Sequence, residues 1–324
     1  MPTSNLLRQD PRYQAPSRDP WNPVKASSST ELSSIRSFID FVSNPMAFSV
    51  RALHCFFALF IIFLHTVRSE ASQLPSKPRP VLLLTGDSLT EKATDPRKGG
   101  WVTLLQFRYR RSADIIARGL SGYNSKWFLK YAMPAIQEEI NCGAYTSPSF
   151  VTVWLGSNDA VLWDGSNPEV HVPIEDYKEN LLQIVDSFQR TAPDASILLI
   201  TPIHVDDTAR IKYAAERNDS RRGLVDHSNA NARRYSRACL EAGRALDVPV
   251  LDLNVYFNSM PESTRNALLL EDGLHLNADG HKIADEQIRN AIKAQFPALD
   301  KAMQEWQLPE ASAWAIEDPW KADA

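Results

Sequence analysis

The pattern of hydrophobic and polar positions changes at about residue 80. From there to about residue 300, short apolar runs alternate with longer stretches whose apolar residues recur every three or four positions. Uninterrupted short runs are typical of strands buried on both faces, and the three-to-four spacing is typical of amphipathic helices. The predicted strands cover residues 81–85, 115–117, 150–155, 196–200 and 248–253, and the predicted helices cover residues 124–140, 174–193, 229–247 and 277–296.

Strands that alternate with helices predict an α/β fold. The alternation implies βαβ units with right-handed crossovers, and therefore a parallel sheet that helices cover on both faces. The folded domain is expected over residues 80–299, and residues 300–324 are expected to form a tail packed on its surface. In such sheets the functional residues gather in loops at the carboxyl ends of the strands. These loops are therefore where an active site is expected.

The chain before residue 80 has a different character. Residues 1–50 are rich in Pro, Ser, Asn and Arg without sustained periodicity, which predicts a disordered leader. Residues 51–68 contain an apolar run, 52–67, that is short for a bilayer-spanning helix and suits a secretory signal. Residues 69–79 are interpreted as a linker. The pattern predicts a protein of the secretory pathway. It is either secreted or anchored by a single membrane contact through residues 52–67, and a cytoplasmic protein is the alternative.

Composition and charge exclude several classes of partner. The 324 residues carry a formal net charge of −4, and nucleic-acid binding requires a basic face, so no nucleic acid is expected. Three cysteines are too few for a disulfide framework, and no cluster has zinc-ligand spacing. Cys142 and Cys239 either pair or stay free thiols. No metal and no cofactor is expected, and the oligomeric state stays open.

The predicted loops carry residues suited to acyl transfer. Ser88 follows the first strand, Gly122 the second and Asn158 the third, while Asp272 and His275 lie in the late stretch EDGLHLNADGH. A serine hydroxyl becomes a good nucleophile when a base within hydrogen-bond reach takes its proton. His275 can be that base, and Asp272 can orient it. The N–H groups of Ser88 and Gly122 and the amide of Asn158 can then form an oxyanion hole.

Each of these residues also has an ordinary structural role open to it. Ser88 can cap the helix that follows, Gly122 can be a turn glycine, and Asn158 can form an Asx turn. Asp159 is expected to cap the next helix. The catalytic reading of Ser88 therefore depends on the other loops converging at one edge of the sheet.

Two further residues are expected to contact the substrate. Trp163 lies in a polar loop just after Asn158 and is expected to line an acyl pocket, and His204 is expected in the pocket wall. The polar segments 164–172 and 206–228 lengthen loops near the predicted site. We expect them to shape the acyl and alcohol pockets.

The ordered set of motifs resembles the SGNH hydrolases, also called the GDSL family. The stretches GDSLTE, ARGLSGYN, LGSNDA, TPI, VPVLDLN and DGLHLNADGH follow the family order over about residues 79–298. The four block residues match Ser88, Gly122, Asn158 and His275, and the likeness is greatest to the isoamyl-acetate-hydrolysing esterase branch. The resemblance implies a flavodoxin-like three-layer α/β/α sandwich with a five-stranded parallel sheet, and a serine esterase without a metal.

The predicted function is hydrolysis of short-chain, acetate-type carboxylic esters through an acyl-enzyme intermediate. A lysophospholipase, a thioesterase or a carbohydrate acetylesterase are alternatives within the family. A non-catalytic, membrane-tethered binding protein is an alternative outside it. The last alternative is a metal-dependent phosphoesterase, whose imidazole and carboxylate ligands would be His204, Asp272, His275, Asp279 and His281.

Overall fold

A five-stranded parallel sheet lies at the centre of the computed structural model, which describes residues 79–307, 310–312 and 315. The strands are β1 (Val81–Gly86), β2 (Asp114–Gly119), β3 (Phe150–Trp154), β4 (Ser196–Ile200) and β5 (Val250–Leu251). Their order is β2-β1-β3-β4-β5, and every neighbouring pair is parallel. The α/β fold with its five parallel strands is thus confirmed.

Helices connect the strands and pack on both faces of the sheet. The helices are α1 (Ser88–Glu91), α2 (Trp101–Arg108), α3 (Ser125–Trp127), α4 (Met133–Asn141), α5 (Ile174–Thr191), α6 (Asp207–Glu216), α7 (Asn229–Leu246), α8 (Leu253–Asn258), α9 (Glu262–Asn266), α10 (Ala278–Gln295) and α11 (Pro297–Gln304). A π-helical turn, Phe128–Ala132, joins α3 to α4.

The side chains of β1 alternate between two hydrophobic cores. Leu82 and Leu84 pack on one face with apolar residues of α2, α8 and α10. Leu83 points to the other face and packs with α4, α5 and α7. All three leucines are fully buried. Burial on both faces explains why β1 is a continuous apolar run rather than an alternating one.

Several features differ from the sequence prediction. β5 covers two residues instead of 248–253, because the Asp252 side chain accepts the N–H of Val255 and starts α8. The polar segment 206–228, expected as a loop, contains the helix α6. The expected domain end at residue 299 falls inside α11, whose Met303 is buried in the core.

The predicted leader, the hydrophobic segment and all of the linker except Arg79 lie outside the described residues. Within the described part of the chain, no helix is long and apolar enough to cross a membrane. The prediction for residues 52–67 stays a prediction. Of the two cysteines that the structure describes, Cys142 is exposed and Cys239 is buried, and both are free thiols.

Candidate active site

The carboxyl end of β1 turns sharply into α1, and this turn presents Ser88. A Cβ atom on Gly86 would come within 2.4 Å of Thr90 Oγ1 and 2.6 Å of the Trp154 carbonyl oxygen, so the turn requires glycine. The cap of α1 is Asp87, whose Oδ1 accepts the Leu89 N–H at 2.9 Å. Ser88 is the first residue of the helix and is not its cap. Its hydroxyl is therefore available for other partners.

Ser88, His275 and Asp272 form one chain of hydrogen bonds. His275 Nε2 lies 2.9 Å from Ser88 Oγ, and His275 Nδ1 lies 2.5 Å from Asp272 Oδ2. Asp272 Oδ1 accepts the backbone N–H groups of Leu274 and His275, each at 3.0 Å. Burial disfavours the charged carboxylate, but these hydrogen bonds and the charge of His275 outweigh it and hold the pKa of Asp272 below its ordinary value. Asp272 is thus an ionised acceptor at neutral pH.

Gly122 and Asn158 lie in the loops after β2 and β3. Asn158 Nδ2 donates one N–H to the Tyr123 carbonyl oxygen at 2.9 Å, and an amide nitrogen has a second N–H to offer. The φ angle of Gly122 is +81°, and a Cβ atom there would meet no protein atom within 4 Å. This left-handed backbone conformation favours glycine at the position.

We therefore expect Gly122→Ala to lower both stability and kcat. The left-handed backbone would cost about 1 kcal/mol of stability, and a rotated N–H would reduce kcat about 10- to 100-fold. The matched control is Gly143→Ala. Gly143 has φ +71° and equally open space, but it lies between α4 and β3, before the amino end of that strand. The measurements are the melting temperature and the kcat for ester hydrolysis of both variants. Equal kcat in the two variants would contradict a role of Gly122 in the site.

Asp159 connects the two loops that carry Gly122 and Asn158. It accepts the Ser125 N–H at 3.0 Å and the Ser125 hydroxyl at 2.5 Å. Ser125 is the first residue of α3, so the prediction that Asp159 caps the next helix is wrong: it holds the start of a helix that precedes it. This contact fixes the loop of Gly122 against the loop of Asn158.

Asp87 is a buried carboxyl group beside the candidate nucleophile. Burial raises the pKa of Asp87 to about 7, despite the hydrogen bond from Leu89, and the charge of Asp159 adds to the increase. Burial also raises the pKa of Asp159 to about 6. Burial thus favours the neutral form of the carboxyl group that caps α1.

Glu91 is a residue that the sequence analysis missed. Its Oε2 accepts the backbone N–H of Ser121 at 2.6 Å, directly before Gly122. A Cβ atom on Gly119 would come within 2.1 Å of the Glu91 nitrogen, so α1 and the loop after β2 are in direct contact. The signal was the glutamate three positions after Ser88 in GDSLTE.

His204 does not line an open pocket, so that prediction is wrong. It is fully buried, its Nε2 lies 2.9 Å from the Arg265 carbonyl oxygen, and its ring packs on Phe257. Burial lowers the pKa of His204 to about 4, which keeps the ring neutral. His281 is also buried, in α10. Among the described residues, no group of three His, Cys, Asp or Glu side chains could hold a metal ion.

Trp163 is 72% exposed and follows the loop of Asn158. Such exposure leaves the indole open to a substrate contact. Its contact with an acyl group stays a prediction.

Comparison with known proteins gives one family. The sequence model of the "GDSL-like Lipase/Acylhydrolase family" matches residues 84–283. A GDSL esterase/lipase of Arabidopsis thaliana is 35% identical over 220 residues, which cover 67% of this chain and 87% of the relative. The human isoamyl acetate-hydrolyzing esterase 1 homolog is 31% identical over 228 residues, covering 70% of this chain and 87% of that protein. The crystal structure of a lipase/acylhydrolase from Enterococcus faecalis has the same fold, with a TM-score of 0.50 and 22% identity over 67% of this chain and 96% of that one.

Proposed function

Because this chain belongs to the GDSL-like lipase/acylhydrolase family and is a carboxylic ester hydrolase, we propose that it cleaves short-chain, acetate-type esters with a Ser88–His275–Asp272 triad. The observation that carries the proposal is the unbroken hydrogen-bond chain from Asp272 through His275 to Ser88. It supplies a nucleophile, a base and an orienting group in the order that acyl transfer requires.

In acylation, Ser88 Oγ attacks the ester carbonyl carbon while His275 Nε2 takes the hydroxyl proton. The imidazole becomes positively charged, and the ionised Asp272 stabilises that charge through Nδ1. His275 then gives the proton to the departing alcohol. The product of this half-reaction is an acyl-enzyme on Ser88. In deacylation, His275 activates a water molecule by the same proton transfer, and the acid is released.

The negative oxygen of each tetrahedral intermediate needs donors aimed at it. The backbone N–H groups of Ser88 and Gly122 and the second amide N–H of Asn158 are the proposed donors. Their positions depend on Glu91, which holds the Ser121 N–H, and on Asp159, which holds the start of α3. Hydrogen bonds between the loops thus preorganise the donors before substrate arrives.

The acetate-type substrate class is supported by the human relative, whose name specifies hydrolysis of isoamyl acetate. The exposed Trp163 is a proposed apolar contact for the substrate beside the loop of Asn158. Lysophospholipase, thioesterase and carbohydrate acetylesterase activities are the competing substrate classes.

We expect the full-length protein to hydrolyse nitrophenyl acetate and butyrate with a higher kcat/KM than octanoate and palmitate. A chelator should leave these rates unchanged, since the proposed mechanism uses no metal. The measurement is the initial rate on the four esters, with and without the chelator. A preference for palmitate would instead favour a lipid substrate, and inhibition by the chelator would contradict the serine mechanism.

A further inference from the structure

The helix α6 packs directly on the loop that carries Asp272 and His275. The Asp206 N–H donates to the Gly273 carbonyl oxygen at 2.9 Å. Gly273 has φ +66°, and a Cβ atom on it would come within 2.7 Å of the Ala209 Cβ atom. No larger residue fits at this contact. The start of α6 therefore touches the backbone immediately after Asp272.

Arg210 is the central side chain of this contact. It is 4% exposed, although it carries a charge. Its Nη1 donates to the Asp272 carbonyl oxygen at 2.8 Å, and its Nε and Nη2 donate to the Asp226 carboxylate at 3.0 and 2.5 Å. The guanidinium also stacks on the Tyr213 ring at 4.4 Å. One buried cation thus joins Asp226 to the backbone of Asp272.

Asp226 also extends this connection to the loop of Trp163. Its backbone carbonyl oxygen accepts the Leu162 N–H at 2.7 Å. A Cβ atom on Gly165 would come within 2.3 Å of the Val225 carbonyl oxygen, so the two segments are in close contact. The segment 206–228 therefore lies between the loop of Asp272 and the loop of Trp163.

We propose that Arg210 and Asp226 form a positioning pair, which holds the Asp272 carbonyl group and thereby the geometry between Asp272 and His275. The inference rests on the proposed function of those two residues. A buried ion pair is a poor source of stability, because desolvation of both charges offsets most of their attraction. A planar guanidinium, in contrast, fixes several acceptors at once. The arrangement fits a role in geometry better than a role in stability.

The test is the double variant Arg210→Met/Asp226→Leu. Removing both charges leaves neither the guanidinium nor the carboxylate unpaired, and apolar replacements of similar volume are often neutral for stability. The buried His227 ring, whose Nδ1 lies 3.1 Å from Asp226 Oδ1, loses that partner, so thermal melting of the variant is measured as well. The variant still loses the hydrogen bond to the Asp272 carbonyl oxygen. We expect kcat on nitrophenyl acetate to fall about 10- to 100-fold, with KM within about twofold of the wild type. A second readout is the downfield proton resonance of the imidazole N–H between His275 and Asp272, which should shift or disappear.

The matched control is Arg217→Met/Asp219→Leu. This pair has the same residue types, with Arg217 Nη2 2.6 Å from Asp219 Oδ2, but Asp219 is half exposed, and within the described part of the chain neither side chain is hydrogen-bonded to Asp272 or Asp226. Both kcat and the resonance should stay at the wild-type level in the control.

Arg210→Lys tests the inference independently of the double variant. A lysine keeps a positive charge near Asp226, but it lacks the planar set of guanidinium N–H groups that donates to Asp226 and to the Asp272 carbonyl oxygen at the same time. A folded Arg210→Lys variant with wild-type kcat and an unchanged resonance would overturn the inference. If the wild type cleaves none of the esters, the proposed function fails, and the resonance alone decides the inference: its loss in the buried-pair variants supports it, and its persistence overturns it.

Discussion

Ser88→Ala is expected to abolish ester hydrolysis, with kcat falling about 10⁴- to 10⁶-fold. The hydroxyl at 2.9 Å from His275 Nε2 is the proposed nucleophile, and no other group at this position can form the acyl-enzyme. The fold should not change, because the cap of α1 is Asp87 and the Ser88 side chain caps nothing. The measurement is kcat on nitrophenyl acetate, together with thermal melting and covalent labelling by a serine-directed phosphonate.

The control for this variant is Ser263→Ala, because Ser263 is an exposed serine of α9 at the surface. Its kcat and its labelling should equal those of the wild type. Retention of more than about one hundredth of the activity in Ser88→Ala would assign the nucleophile to another group.

Asp272→Asn is expected to lower kcat about 10³- to 10⁴-fold while leaving the loop in place. The asparagine oxygen can still accept the N–H groups of Leu274 and His275, so the backbone stays bonded. Its amide nitrogen, however, faces His275 Nδ1 with a donor instead of an acceptor. The imidazole then takes the other tautomer, with its proton on Nε2, and cannot accept the proton of Ser88.

Asp279→Asn is the matched control, because Asp279 lies seven residues later, at the exposed start of α10, and pairs at 2.9 Å with Lys282. Its kcat should stay within about twofold of the wild type, since a surface pair contributes little. If the two asparagine variants were equally active, Asp272 would not be the orienting group, and the proposed triad would be wrong.

The pH dependence of these rates follows from the same roles. Ester hydrolysis requires an unprotonated His275, because a protonated imidazole cannot act as a base. Asp272 stays ionised near neutral pH, since its pKa lies below the ordinary range, and it therefore adds no inflection to the pH–rate profile there.

The elements that the sequence predicts well are those whose hydrophobic pattern comes from burial. β1, β3 and β4 are buried on both faces, and α5, α7 and α10 each bury one stripe, so their patterns are regular. α6 had no such pattern, because Arg210 and Ala214 are its buried side chains and one of them is charged. The partner that makes this burial possible, Asp226, lies sixteen residues later. The hydrophobic pattern within a single helix cannot indicate an ion pair with a residue so far along the chain.

The site divides in the same way. Ser88, Asp272 and His275 were predictable because each stands beside a recognisable strand or loop signal, and the structure brings them within hydrogen-bond distance. His204 was predicted wrongly because sequence does not show which side of a loop a side chain faces; it is buried against Phe257. The contacts of Glu91 with Ser121 and of Asp159 with Ser125 join distant loops, and such contacts require coordinates.

The distance along the chain between Ser88 and His275 has a consequence for biosynthesis. The two residues are 187 positions apart, and the loop of His275 is held by α10, whose Ile288 and Ile292 pack in the same core as Leu84 of β1. A nascent chain that has emerged only as far as β4 carries the proposed nucleophile but not the proposed base. Under the proposed mechanism, ester cleavage is expected only after α10 has left the ribosome and docked on β1, so its onset during translation would mark the completion of folding.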